Sequence, residues 1–196
     1  RTTMISFKPL VFAALLACGV TTQAATLRVS NQGDATSMDP HSLNESLQLS
    51  ITGNVYEPLV GRDRKLGLEP ALATKWTQTS PTVWRFELRK GVKFHDGTPF
   101  NADDVVFSFN RAADPGGDMR GYTSSFKEVR KIDDNTVEIE TTAPFPILPD
   151  VISNVYMMSK KWCETNKAEK PVDRRKGVEN TASFKANGTG PFRLKE

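Results

Sequence analysis

Cysteine, histidine and long apolar runs are all scarce in this chain of 196 residues, and each scarcity narrows what it can be. The cysteines are Cys18 and Cys163 alone. If the N-terminal segment is removed, Cys163 stands by itself and no internal disulfide is possible in this stretch, whatever the compartment. His41 and His95 are the only histidines, and no cysteine or carboxylate stands beside either at metal-ligand spacing. No Gly-x-Ser-x-Gly elbow occurs, and Gly188-Thr189-Gly190 lacks the later glycine or lysine of a phosphate cradle. Ser124-Ser125-Phe126-Lys127 has the Ser-x-x-Lys spacing of a penicillin-binding nucleophile, but the companion motifs of such enzymes are missing. Charge of one sign is lacking too. Lysine and arginine number 26 against 23 acids, and the signs are interspersed, which argues against a nucleic-acid surface. No repeat or low-complexity tract is present.

One strongly apolar run exists, Leu10 to Val20, and it is too short to span a bilayer. Lys8 precedes it and Thr22-Gln23-Ala24 supplies small residues before a cut at Ala25, the layout of an export signal. Met4 is read as the initiator. Loss of residues 1–24, which carry Arg1, Lys8 and no acid, takes the formal charge from +3 to +1. Leu15-Leu16-Ala17-Cys18 roughly matches a lipoprotein processing box, the less favoured alternative.

What is present is an ordinary globular composition, 38% hydrophobic and 25% charged, with one densely patterned stretch from Val83 to Ala113. Trp84, Phe86 and Leu88 alternate with Arg85, Glu87 and Arg89, predicting a half-buried strand. Lys90-Gly91 turns the chain, and Val92 and Phe94 resume the alternation as a second strand of a hairpin. His95 to Pro99 supplies turn chemistry in which His95 stays. Asn101 as N-cap, Asp104 as its capping-box acid and a Phe100–Val105 staple start a helix. Ala102, Val105, Val106, Phe109, Ala112 and Ala113 form its core stripe, and Asp114-Pro115-Gly116-Gly117 ends it. Asp103 and Asp104 serve the helix amides and dipole rather than acid–base chemistry.

Elsewhere, Thr26 to Ser30 alternates as a first strand. Asp39-Pro40-His41 leads into a helix over Leu43 to Val55 with Leu47, Ile51 and Val55 as its stripe. Gly121-Tyr122-Thr123 lies in a polar loop, and Val129–Ile132 and Thr136–Thr141 are strands joined by Asp133-Asp134-Asn135, with Val137 and Ile139 on one face. Pro144, Pro146 and Pro149 stiffen a connector before a short helix within Ile147–Val155. Lys160 to Lys185 reads as solvated surface.

The string Arg89 to Phe109, RKGVKFHDGTPFNADDVVFSF, closely resembles the signature segment of the family 5 extracellular solute-binding proteins of ABC importers, the dipeptide, oligopeptide and nickel binders. Asp39-Pro40-His41, Tyr56-Glu57-Pro58-Leu59-Val60 and Leu72-Ala73-Thr74-Lys75-Trp76 resemble that family's opening in the same order, and Gly188 to Phe192 its return to the main lobe. The resemblance implies an α/β, periplasmic binding protein type II-like two-lobe fold. Residues 1–24 would be the signal peptide and 25–59 the start of lobe one. Residues 60–158 would be an inserted α+β subdomain and 159–196 a return into lobe one, with lobe two absent from this chain. It implies a non-enzymatic periplasmic protein that binds a small peptide or similar solute and delivers it to an ABC permease in the inner membrane. A monomer, no cofactor, no metal and no nucleic acid are expected. By position, ligand-facing residues would be Leu43, Asn44, Glu45, Tyr122 and Asn154; each could equally be an ordinary helix-start or loop residue. Alternatives are a nickel-chelate, haem or other solute binder on the same fold or, from another class, an exported serine hydrolase or penicillin-interacting enzyme.

Overall fold

The helix written most plainly in the sequence is the one the sheet is packed against. The computed structural model describes residues 28–195 together with Thr26; the expected export signal and Leu27 of the expected first strand lie outside the described residues. Arg28 to Ser30 are exposed and irregular. A strand needs a pairing neighbour, and no described residue pairs with that segment.

From Gly33 onward the order begins with α1 (Ser46–Thr52), a short hairpin β1 (Val60–Arg62) and β2 (Leu68–Pro70), then β3 (Ala73–Ser80) and β4 (Val83–Leu88). Next come α2 (Ala102–Ala112), a helical turn α3 (Arg120–Thr123), β5 (Phe126–Asp133) and β6 (Thr136–Thr141). The chain ends with α4 (Leu148–Val151), a 3-10 turn at Ile152–Asn154, α5 (Lys160–Thr165) and two further 3-10 turns, Arg174–Lys176 and Thr181–Ser183. Strands β3 to β6 form one antiparallel sheet in the order β3-β4-β6-β5.

Register sorts the two faces of this sheet. Phe86 stands opposite Val137 and Trp84 opposite Ile139, and Val129 opposite Ile139 on the far side, so one face is apolar. Helix α2 lies along β5 and β6, burying Val105 and Phe109 against Phe86, Val137 and Ile139. The opposite face is a charge ladder. Arg85 donates from Nε and Nη2 to Glu138 Oε1 at 2.9 and 2.7 Å, and Arg130 from the same two atoms to Oε2 at 3.0 and 2.6 Å. Burial raises the Glu138 carboxyl's proton affinity, but the two guanidiniums outweigh it and hold the group below the usual carboxylate range.

The α2 cap is the expected one. Asn101 Oδ1 accepts from the Asp103 amide at 2.7 Å and Asp104 Oδ2 accepts from the Asn101 amide at 3.0 Å, a complete capping box. Asp104 does more than cap: its Oδ1 accepts from the Lys160 amide at 2.9 Å, joining the starts of α2 and α5.

Several expectations are corrected. Val92–Phe94 is no strand paired with β4. The partners of β4 are β3 and β6, and Val92 to Phe100 closes on itself through a Lys93–Pro99 bridge. Strand β3 gives no alternating signal because it is an edge, with Ala73 alone fully buried along it. Helix α1 is shorter than Leu43–Val55. Its buried residues are Gln48 and Thr52, with Leu47 and Ile51 only half-buried, and Gln48 turns inward to donate to the Ser37 and Asp39 carbonyls. Gly121 to Thr123 belongs to the helical turn α3 rather than to a loop. The Lys160–Lys185 stretch is no solvated surface either: Cys163, Ala168 and Ala182 pack with Val55, Tyr56 and Met158 in a second core. The expected strands at 129–141 and the short helix after Ile147 are present.

Candidate functional site

The Asp39-Pro40-His41 turn is held by a polar network inside the protein. Asp39 accepts from the His41 amide at 2.9 Å, and the Ser42 hydroxyl donates to the Asp39 carbonyl at 2.9 Å. Gln48, in the first turn of α1, donates from Nε2 to the Ser37 carbonyl. Arg111, from the last turn of α2, donates from Nη1 to Asp39 Oδ1 at 2.7 Å and from Nη2 to Oδ2 at 2.6 Å. Both side chains are fully buried, so the fork is complete and water is excluded. Arg111 Nε donates to the Ala168 carbonyl at 3.0 Å, carrying the network to the second core.

His41 completes it. Its Nδ1 lies 3.1 Å from Arg111 Nη1 and its Nε2 lies 2.9 Å from the Tyr156 carbonyl. A guanidinium can only donate, so Nδ1 is the acceptor and the proton sits on Nε2. Burial and the adjacent guanidinium push the His41 pKa down to about 4. Burial alone would raise the Asp39 carboxyl, but Arg111 overrides it and leaves it below the ordinary range. The site is thus a buried ion pair with a neutral imidazole.

The chain also comes too close here for any side chain at Gly117, where a Cβ would sit 2.2 Å from the His41 carbonyl oxygen. The 37–42 turn is therefore clamped from α1, α2, the 156 segment and the loop after α2.

Immediately beyond the clamp come the candidate residues. Leu43 is fully buried and anchors the segment, while Asn44 and Glu45 are exposed. Tyr122, on α3, donates its hydroxyl to Asn44 Oδ1 at 3.2 Å. Glu45 Oε1 lies 3.6 Å from Arg175 Nη1. Asn154 is half-buried on the 3-10 turn that packs against α3. The fold thus gathers Asn44, Glu45 and Tyr122 at one polar edge, places Leu43 beneath it, and sets Asn154 on a neighbouring element. Arg111 and Arg175 escaped the sequence reading. Arg111 sits beside the apolar stripe of α2, on the face shared with Asp104 and Ser108, and a charge there is the signal that could have revealed a buried partner. Arg175 lies in a charged tract with no periodicity to single it out.

The remaining sequence candidates are engaged elsewhere. His95 stays in its turn, with Nε2 2.8 Å from the Gly190 carbonyl. Ser124 Oγ donates to the Gly121 carbonyl at 3.2 Å and Lys127 Nζ to Glu140 Oε1 at 2.8 Å, so each has a partner of its own. Burial pushes the free Cys163 thiol up to about 12, the condition of an inert core cysteine. Among the described residues no group of three or more His, Cys, Asp and Glu side chains is placed to hold a metal ion.

Comparison with known proteins gives this architecture its context. The glutathione-binding protein GsiB of Shigella dysenteriae serotype 1 is 27% identical over 189 residues, 94% of this chain and 34% of that protein. Among solved structures, the periplasmic binding protein DppA from Helicobacter pylori in complex with the peptide STSA superposes with a TM-score of 0.70 at 27% identity, over 83% of this chain and 35% of that one. NikZ from Campylobacter jejuni in complex with Ni(L-His) also has a TM-score of 0.70, at 24% identity over 84% of this chain and 32% of that one, and shares the fold. The chain spans about a third of the length of the curated relatives it matches. The expected α/β periplasmic-binding-protein fold is the one observed. The profile of bacterial extracellular solute-binding proteins, family 5 Middle, matches residues 67–196, and the chain belongs to that family.

Proposed function

We propose that this chain is part of the solute-binding component of an ABC importer, a periplasmic protein that closes on a small peptide or similar solute and hands it to a membrane permease without altering it. In this reading residues 1–24 are the export signal and 60–158 an inserted subdomain. Residues 43–45, with Tyr122 and Asn154, then form one rim of the binding cleft.

The observation that carries the reading is the clamp behind that rim. A peptide offers backbone donors, acceptors and terminal charges, and gripping it requires polar partners that are already in place. The Arg111–Asp39 fork and His41 hold the 37–42 turn rigidly, and the next residues present an amide oxygen fixed by Tyr122 and a carboxylate. Closure of a second lobe would remove water from these groups and strengthen each charged contact. The solute stabilises the closed state by its differential affinity. The relatives named for glutathione and crystallised with a peptide make short peptides the first solutes to try.

The test is a thermal-shift screen of the full-length protein against dipeptides, tripeptides, glutathione and nickel–histidine chelates. A solute at 100 times its Kd adds about 2.7 kcal/mol of stability, a clear rise in Tm. If none raises Tm while an ester or β-lactam is turned over, the transport reading fails and the hydrolase reading replaces it.

A further inference from the structure

Beyond Val60 the β1–β2 hairpin leaves the core. Every residue from Arg62 to Pro70 is exposed, and two isolated strands of three residues are marginal on their own. They are pinned nonetheless. Arg62 donates from Nε to Ser153 Oγ at 3.1 Å and from Nη1 to the Leu66 carbonyl at 3.2 Å, and it pairs through Nη2 with Asp150. Asp63 Oδ1 accepts from the Lys65 and Gly67 amides at 2.7 and 2.8 Å, and the Leu66 amide donates to the Asp63 carbonyl at 3.0 Å. Arg64, Lys65 and Leu66 thus form a three-residue hairpin loop, whose last residue takes the left-handed conformation and is ordinarily glycine. Here it is Leu66, at φ +66°, although a glycine stands one position later. The Cβ of a leucine disfavours that conformation, and at 72% exposed the side chain recovers nothing by packing. Backbone strain of this kind clusters where a residue's presentation has a use.

The outward surface of the loop is apolar and positive. Leu66 is joined by Leu68, 38% exposed on β2. Arg64 and Lys65 are exposed and, among the described residues, form no ion pair. The neighbouring acids are turned elsewhere: Asp63 onto the loop's own amides, Asp150 onto Arg62, and Glu69 lies towards the base of the hairpin, opposite Gly61. Three residues at a convex end offer far less than the roughly 800 Å² per partner that a stable protein interface buries. An anionic bilayer needs less, because leucine enters the headgroup layer while adjacent cations meet the lipid phosphates. We propose that the β1–β2 loop is a membrane-touching tip, seating Leu66 in the headgroup layer of an anionic bilayer with Arg64 and Lys65 on its phosphates. The contact is weak and reversible, and it concentrates the protein at the bilayer surface. Such a tip works whatever solute the protein carries.

Co-sedimentation with vesicles tests it, using the full-length protein cut before Ala25 so that the Leu10–Val20 run cannot itself seek lipid. The vesicles are phosphatidylcholine alone, or equal parts phosphatidylcholine and phosphatidylglycerol. The protein should bind the anionic vesicles about tenfold or more tightly than the neutral ones, and added salt should erase the difference. Replacing both cations, Arg64→Gln with Lys65→Gln, should weaken binding to the anionic vesicles about tenfold. Leu66→Asn should weaken it by a similar factor, about tenfold. Asparagine occupies the left-handed region more readily than leucine, so this variant should keep or raise Tm while losing lipid affinity. A leucine with a purely structural role would show the reverse. The inference is wrong if the wild type leaves anionic vesicles unbound, if binding ignores lipid charge, or if Leu66→Asn binds as the wild type does or lowers Tm.

Discussion

His41 should make the folding stability of this protein depend on pH in a window where few other groups titrate. Its pKa falls from 6.5 to about 4 on folding because burial and the facing Arg111 guanidinium both disfavour the imidazolium. Between those values the unfolded chain binds a proton that the folded chain refuses, so stability falls as pH drops through the window and levels off below about pH 4. A difference of about 2.5 pKa corresponds to about 3 kcal/mol in the limit, of which about 2 kcal/mol is lost between pH 7 and pH 5. Full burial leaves no solvent screening to discount it. Asp104, whose carboxyl is raised chiefly by burial, acts in the opposite direction at the acid end. Asp39, held low by Arg111 against its burial, adds to acid lability below its unfolded value. The contribution of His41 is therefore isolated by comparison with His41→Gln, which lacks a titrating group but keeps a donor for the Tyr156 carbonyl. Urea denaturation at several pH values between 7 and 4.5 should show the wild type losing about 2 kcal/mol more than the variant over the upper two pH units. Equal pH slopes for the two proteins would refute the buried, neutral imidazole.

Three further perturbations bear on the same architecture. Arg111→Met leaves Asp39 buried and uncompensated and should cost about 3–5 kcal/mol in urea denaturation, whereas adding Asp39→Leu should recover much of that loss. Gly117→Ala places a methyl 2.2 Å from the His41 carbonyl oxygen and should cost about 2 kcal/mol while loosening amide-exchange protection of the 39–45 segment. Asn101→Ala removes the α2 cap and should cost about 1 kcal/mol in urea denaturation.

How much of this was readable depends on whether a residue's role is local. The α2 cap, staple and stop lie within a few residues of one another, so their chemistry is legible along the chain, and the alternation of Trp84, Phe86 and Leu88 reports a face that is buried by neighbours of any identity. Strand β3 is an edge, exposed along most of its length, and its Thr-rich sequence carries no period to detect. The inward face of α1 carries two polar side chains, Gln48 donating to the Ser37 carbonyl and Thr52 to the helix's own Gln48 carbonyl, and a search for an apolar stripe cannot register such a face. The Asp39–Arg111 pair spans 72 residues of sequence and the Asn44–Tyr122 bond spans 78, so only the fold brings their partners together. Asn44, Glu45 and Tyr122 are suggested by family position alone, and no local pattern singles them out. The close approaches at Gly117 and Gly188, where a Cβ at the latter would lie 1.9 Å from the Val55 carbonyl oxygen, are likewise visible only as packing.

The most direct test is a structure of the full-length protein with one of the screened solutes bound. Solute atoms should lie within hydrogen-bond distance of Asn44 or Glu45, with the Asp39–Arg111–His41 clamp behind them unchanged. A bound solute seated away from residues 43–45, with that edge still facing bulk water, would contradict that placement.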